Sequence, residues 1–129
     1  MRGYVRYVDD FLVFGDDKQQ LAEVRERVRD FLVSLRLHPA KSVIFPVRCG
    51  IRFLGYRVFP THRLLPKDNV RRFRRRVRAM QDQYAAGAMS FAEVYQRLMS
   101  WVGHAKQANT YRLRERLFDT ISFQRAASQ

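Results

Sequence analysis

Residues 3–14 read Gly-Tyr-Val-Arg-Tyr-Val-Asp-Asp-Phe-Leu-Val-Phe, and they set the reading of the whole chain. Two runs of β-branched and aromatic residues, 3–8 and 11–14, enclose one acidic pair, Asp9-Asp10. Such runs favour strands, so the stretch predicts a β-hairpin with the acids at its tip. Adjacent carboxylates repel, and apolar flanks add desolvation. A divalent cation would offset both costs, since Mg2+ takes a few carboxylates together with phosphate oxygens and water. Plain turn chemistry is the alternative, because Asp is at home in turns. Asp16-Asp17 shows how far that alternative reaches. The same dipeptide there precedes a helical pattern, and capping accounts for it. No helical pattern comes directly after Asp9-Asp10.

Outward from the hairpin, Leu21, Val24, Val28, Phe31, Leu32 and Leu35 recur at three- and four-residue spacing, which predicts a helix over 18–36 with one apolar face. Pro39 ends that run. Residues 42–45 and 51–59 read as two strands, with Arg48-Cys49-Gly50 as their turn. Pro60 and Pro66 bracket a connector. Beyond it the spacing changes to 3.6: Val70, Phe73, Val77, Met80 and Tyr84 predict a helix over 67–86, stopped by Gly87. Ser90 and Glu93 have capping-box spacing before a helix over 91–106 that buries Phe91, Val94, Leu98, Trp101 and Val102. Asn109 or Thr110 caps a last helix running to about 121. The expected fold class is α+β, with a mixed part over 1–60 and an all-helical part over 61–129.

Composition narrows the partners. Twenty-five Lys and Arg against twelve Asp and Glu give a formal net charge of +13. Arg dominates, and its planar fork matches phosphate oxygens bidentately, so the first expected partner is nucleic acid. The charge concentrates at 71–78, where Arg71, Arg72, Arg74, Arg75, Arg76 and Arg78 surround Phe73 and Val77. Six like charges this close repel unless anions screen them. A solvated face or a membrane-surface helix would use the same pattern, but later helices offer the apolar stripe a protein partner. The one cysteine, Cys49, excludes an intrachain disulfide and fits a reducing, cytoplasmic setting. No apolar run approaches the roughly 20 residues of a membrane span. Trp101 and His104 read as packing residues, and the three histidines lack cysteine partners for zinc.

Tyr7-Val8-Asp9-Asp10 between apolar strands resembles the YxDD motif of reverse transcriptases. The segments C-terminal to it resemble that family in their order. The helix at 18–36 is similar to the palm helix after the catalytic hairpin. His38-Pro39-Ala40-Lys41-Ser42 is similar to the lysine-bearing loop, and Phe53-Leu54-Gly55-Tyr56-Arg57-Val58 to the primer grip. The helices from 67 onward resemble the thumb. The nearest group is that of bacterial retroelements: group II intron, diversity-generating and retron-type enzymes.

The resemblance implies an RNA-directed DNA polymerase acting with Mg2+ or Mn2+ on an RNA template, a DNA primer and deoxynucleoside triphosphates. Asp9 would be a direct metal ligand and Asp10 a second one. Lys41 would lie near the incoming triphosphate, and Phe53, Leu54, Gly55 and Tyr56 would position the primer. The Arg residues at 71–78 would hold duplex backbone. The family also needs a metal-binding Asp on an earlier palm strand, and no acid here resembles it. The chain therefore reads as a palm-and-thumb fragment, inactive alone, with apolar surface and strand edges left open. A basic nucleic-acid-binding module without catalysis is the alternative.

Overall fold

The computed structural model describes residues 2–35 and 41–126. Among them are four α-helices and two small antiparallel sheets, so the fold is mixed α+β. The chain divides into two compact units, 1–49 and 50–129.

In the first unit, β1 (Gly3–Tyr7) pairs antiparallel with β2 (Asp10–Phe14). The register runs from Gly3↔Phe14 to Tyr7↔Asp10 and leaves Val8 and Asp9 as the loop. The acidic pair is therefore divided: Asp9 is at the tip, and Asp10 is the first residue of a strand. Helix α1 (Lys18–Phe31) starts as its sequence requires, with the Asp17 carboxylate accepting from the Gln19 amide at 2.8 Å. Asp16 instead pairs with Arg2. The α-helix stops five residues short of the expected 36, and a tighter turn, Val33–Leu35, comes after it. Its apolar face is only half-covered: Leu21, Val24 and Val28 are partly buried, while Phe31 is 85% exposed. The expected strand at 42–45 is absent. Val43 and Phe45 lie exposed there, and no described strand pairs with them. Strand preference reflects packing on a sheet, and apolar residues without a neighbouring strand do not realise it.

In the second unit, β3 (Ile51–Phe53), β4 (Tyr56–Val58) and β5 (Arg63–Leu64) form an antiparallel sheet. The stretch expected as one strand over 51–59 is thus a hairpin, turned at Leu54-Gly55, where both residues have positive φ, 50° and 83°. Two consecutive left-handed residues make the tight two-residue turn that matches strand twist. Gly50 also has positive φ, 75°, but it leads into β3 from beneath Phe59 and does not turn a hairpin.

The remaining elements are three helices: α2 (Lys67–Ala85), α3 (Phe91–Ala105) and α4 (Tyr111–Phe118). Their apolar stripes meet, together with Met89 from the connection between α2 and α3, in one core of Phe73, Val77, Met80, Met89, Val94, Leu98 and Leu117. Ser90 and Glu93 form the expected capping box at α3. Thr110 precedes α4 without capping it through its side chain, and its hydroxyl donates to the Ala105 carbonyl at 2.6 Å. Helix α4 ends before 121, yet Ile121 still packs on the core.

The β3–β5 sheet belongs with the helices. Arg52 pairs with Asp68, the Asn109 amide donates to the Arg63 carbonyl at 2.8 Å, and the Tyr56 hydroxyl reaches His104. These ties place the division between units at Cys49 and Gly50, earlier than the 60–66 connector. Among the described residues, no helix is long and apolar enough to cross a membrane.

Candidate functional site

The acidic hairpin is the sharpest chemical feature. Asp9 and Asp10 are both exposed, and neither carboxylate takes part in an ion pair or hydrogen bond among the described residues. Val8, the first loop residue, has φ of 51°. A β-branched residue in the left-handed region is strained, and such strain concentrates at functional turns. The Val8 carbonyl is held by the Arg6 guanidinium at 2.9 Å, which fixes the backbone just before Asp9. Two free carboxylates on a tight turn fit the partial donor set that Mg2+ or Mn2+ takes alongside phosphate oxygens. Among the described residues no third His, Cys, Asp or Glu gathers with them.

Lys41 is exposed, and no hydrogen bond or ion pair joins it to Asp9 or Asp10 among the described residues. His38, Pro39 and Ala40 of the same motif lie outside the described residues.

The second-unit hairpin brings Phe53, Leu54, Gly55 and Tyr56 together around one turn. Gly55 is required there by its φ of 83°. A Cβ at this position would lie 3.4 Å from His104 Cε1, so crowding is the smaller constraint. The Tyr56 hydroxyl donates to the His104 carbonyl at 2.9 Å and lies 3.0 Å from His104 Nδ1, and the two rings stack with centroids 4.6 Å apart. His104 is thus the residue that fixes the turn to α3. The sequence held no signal for this, because the partners are 48 positions apart.

The six arginines of α2 divide into two faces. With the core side defined by Phe73, Val77 and Met80, Arg71, Arg74, Arg75 and Arg78 fall within an arc of about 100° on one flank and the back. Arg72 and Arg76 lie on the other flank. Arg72 is 3.6 Å from Asp68, and the other five form no ion pair among the described residues. All six are exposed. A row of unpaired guanidiniums on a rigid helix suits phosphate backbone.

Trp101 is partly buried, packs against the core and has one polar tie. It stacks on Phe73 at 3.7 Å between centroids, and its indole N–H donates to Asn69 at 3.0 Å. The Glu93 carboxyl is held below its usual range, because the Ser90 amide and hydroxyl donate to it and Arg97 adds attraction. In comparisons with known proteins, no family model and no curated protein matches the chain.

Proposed function

We propose that this chain supplies the catalytic hairpin and thumb of an RNA-directed DNA polymerase, with Mg2+ or Mn2+ as cofactor. One observation carries the reading: two free carboxylates sit on a tight antiparallel hairpin, Tyr7-Val8-Asp9-Asp10, in the order and spacing of the YxDD family. Asp9 would hold the metal directly and Asp10 would support it. A divalent ion held there would supply charge neutralisation on the transferring phosphoryl group and activation of the attacking primer oxygen. Lys41 gives a proton to the departing pyrophosphate. The Phe53–Tyr56 hairpin positions the primer, and the exposed arginines of α2 hold the template–primer duplex without reading its bases.

The activity needs one more metal-binding carboxylate than Asp9 and Asp10 provide. The test therefore uses the polymerase that carries this segment. Asp9→Asn lowers primer extension at least about a hundredfold and leaves duplex binding intact. Near-normal extension by that variant removes the catalytic assignment.

A second reading, a nucleic-acid-binding module without catalysis, is favoured by a separate observation. Every fully buried side chain among the described residues lies in the unit that carries the arginine helix.

A further inference from the structure

Helices α2 and α3 leave an open groove of about 640 Å³ between them. Arg76 and Gln83 line it from α2, and Gln96, Arg97, Ser100 and Trp101 line it from α3. The lining holds two guanidiniums, three amides (Asn69 among them), a hydroxyl and the His104 imidazole, and no carboxylate. The acid nearest in sequence to Arg97 on its own face is Glu93, one turn back, and that carboxylate is taken by the Ser90 amide and hydroxyl at 2.8 Å each. Trp101 is partly exposed in this groove and held by Phe73 stacked against it and by its bond to Asn69. Cationic and amide donors beside a fixed aromatic ring suit phosphates together with bases. The space restricts the ligand further. Packed helices have axes about 8–10 Å apart, so the seam between them is on the scale of a single strand.

We propose that this groove seats a single nucleic-acid strand, its phosphates against Arg76 and Arg97 and a base toward Trp101. The groove ends at His104, the residue that holds Tyr56 and faces Gly55, so the strand lies in line with the Leu54-Gly55 turn. This deepens the nucleic-acid part of the proposed function and does not depend on the polymerase activity. It separates two tasks that the arginine run alone merges: Arg71, Arg74, Arg75 and Arg78 face a duplex, while the groove takes one strand.

Trp101 is the only tryptophan in the chain, so its fluorescence reports the groove directly. The full chain is titrated with an oligothymidylate of about 10 nucleotides and with a duplex of the same length, across a salt series. The single strand quenches Trp101. Arg97→Gln weakens that quenching and flattens the single-strand salt slope by up to about 0.7, the share of one phosphate contact. Arg97→Lys restores the slope, and Arg97→Glu removes quenching. Duplex binding, read by anisotropy, keeps its slope in all three variants. Because Arg97 is exposed, matching melting curves establish that the variants fold alike. Single-strand binding without Trp101 quenching, or Arg97→Glu binding like the parent, overturns the proposal. So does equal quenching by anionic phospholipid vesicles. Replacing Arg71, Arg74, Arg75 and Arg78 together with Gln separates the two readings. If that variant loses duplex affinity while Arg97 changes nothing, only the groove fails. If neither variant alters binding, the nucleic-acid reading fails with it.

Discussion

The two units of this chain differ in what holds them together. In residues 50–126 the core is closed: Val94 and Ala105 are fully buried, and Phe73 and Val77 are 3% exposed. In residues 2–35 and 41–49 no side chain is fully buried, and Tyr4, Val5, Tyr7, Val8, Phe31, Val33 and Leu35 all lie open. The same kinds of apolar residue are present in both. What differs is geometry: three helices enclose a volume, whereas one hairpin and one helix offer only faces. The most suggestive chemistry, Asp9-Asp10, thus sits on the unit without a closed core, while the arginines sit on the one that has it. Opening of the first unit is expected at lower free energy than that of the second.

A core truncation tests this contrast most strongly. Phe73→Ala removes a ring packed between Trp101 and Phe118 and costs about 3–5 kcal/mol, seen as a lowered melting temperature by Trp101 fluorescence. Leu12→Ala, at a half-buried strand position, costs about 1 kcal/mol. In hydrogen exchange it loosens the β1–β2 hairpin and leaves α2 and α3 protected. If Leu12→Ala lowers the Trp101 melt as much as Phe73→Ala does, the contrast between the units is broken.

The entry to the second unit gives a smaller effect. A Cβ at Gly50 would lie 2.6 Å from the Phe59 ring, at a φ of 75° that side chains resist. Gly50→Ala is expected to cost about 1–3 kcal/mol by denaturant unfolding, with the loss concentrated in β3 and β4. A substitution without effect would show that this backbone relaxes and that the β3–β5 sheet is not rigidly joined to the helices.

The α3 cap comes next. Ser90→Ala removes a typical N-cap, costing about 1 kcal/mol. Its pH dependence has a definite sign. The folded Glu93 carboxyl titrates below its unfolded value, so its contribution is present above the unfolded pKa and lost as pH falls through the folded one. Stability of the parent should decline over that acid range more than stability of Ser90→Ala, measured by urea unfolding at a series of pH values. Equal declines would mean that Glu93 titrates alike with and without its cap.

Legibility in the sequence divides along the same line. Helices α2 and α3 were readable because their signals are local: a 3.6-residue stripe, Gly87 as a stop, and Ser90 three residues before Glu93. The β1–β2 hairpin was readable for the same reason. The run at 42–45 has equally strong strand composition but no described strand beside it, and pairing is not a local property. Gly50 and Gly55 both needed positive φ, and the sequence could not tell which of them turns a hairpin. For the candidate site, Asp9 and Asp10 were visible as a dipeptide, but the split that places only Asp9 in the loop is a matter of register. Arg97 and His104 were invisible as site residues, since their roles depend on the side of α3 that α2 and the β3–β4 turn face.

The smallest expected effect bears on why the strained residue stands beside the acids. Val8 at φ 51° sits at a position glycine fills freely. Val8→Gly relieves strain of order 1–3 kcal/mol but restores glycine's larger unfolded-state freedom, about 0.5–1 kcal/mol, and gives up the little packing of a side chain that is 66% exposed. With the strain at the low end of that range, the net is a stabilisation of under about 1 kcal/mol, read as slower exchange of the β1–β2 amides. If the strain holds Asp9 and Asp10 for a cation, the same change weakens Mn2+ binding, tracked by paramagnetic broadening of the Asp9 and Asp10 amide signals. Stability and metal affinity then move in opposite directions. If both rise together, the strained turn serves neither carboxylate, and the acidic pair is only a turn on the more weakly held of the two units.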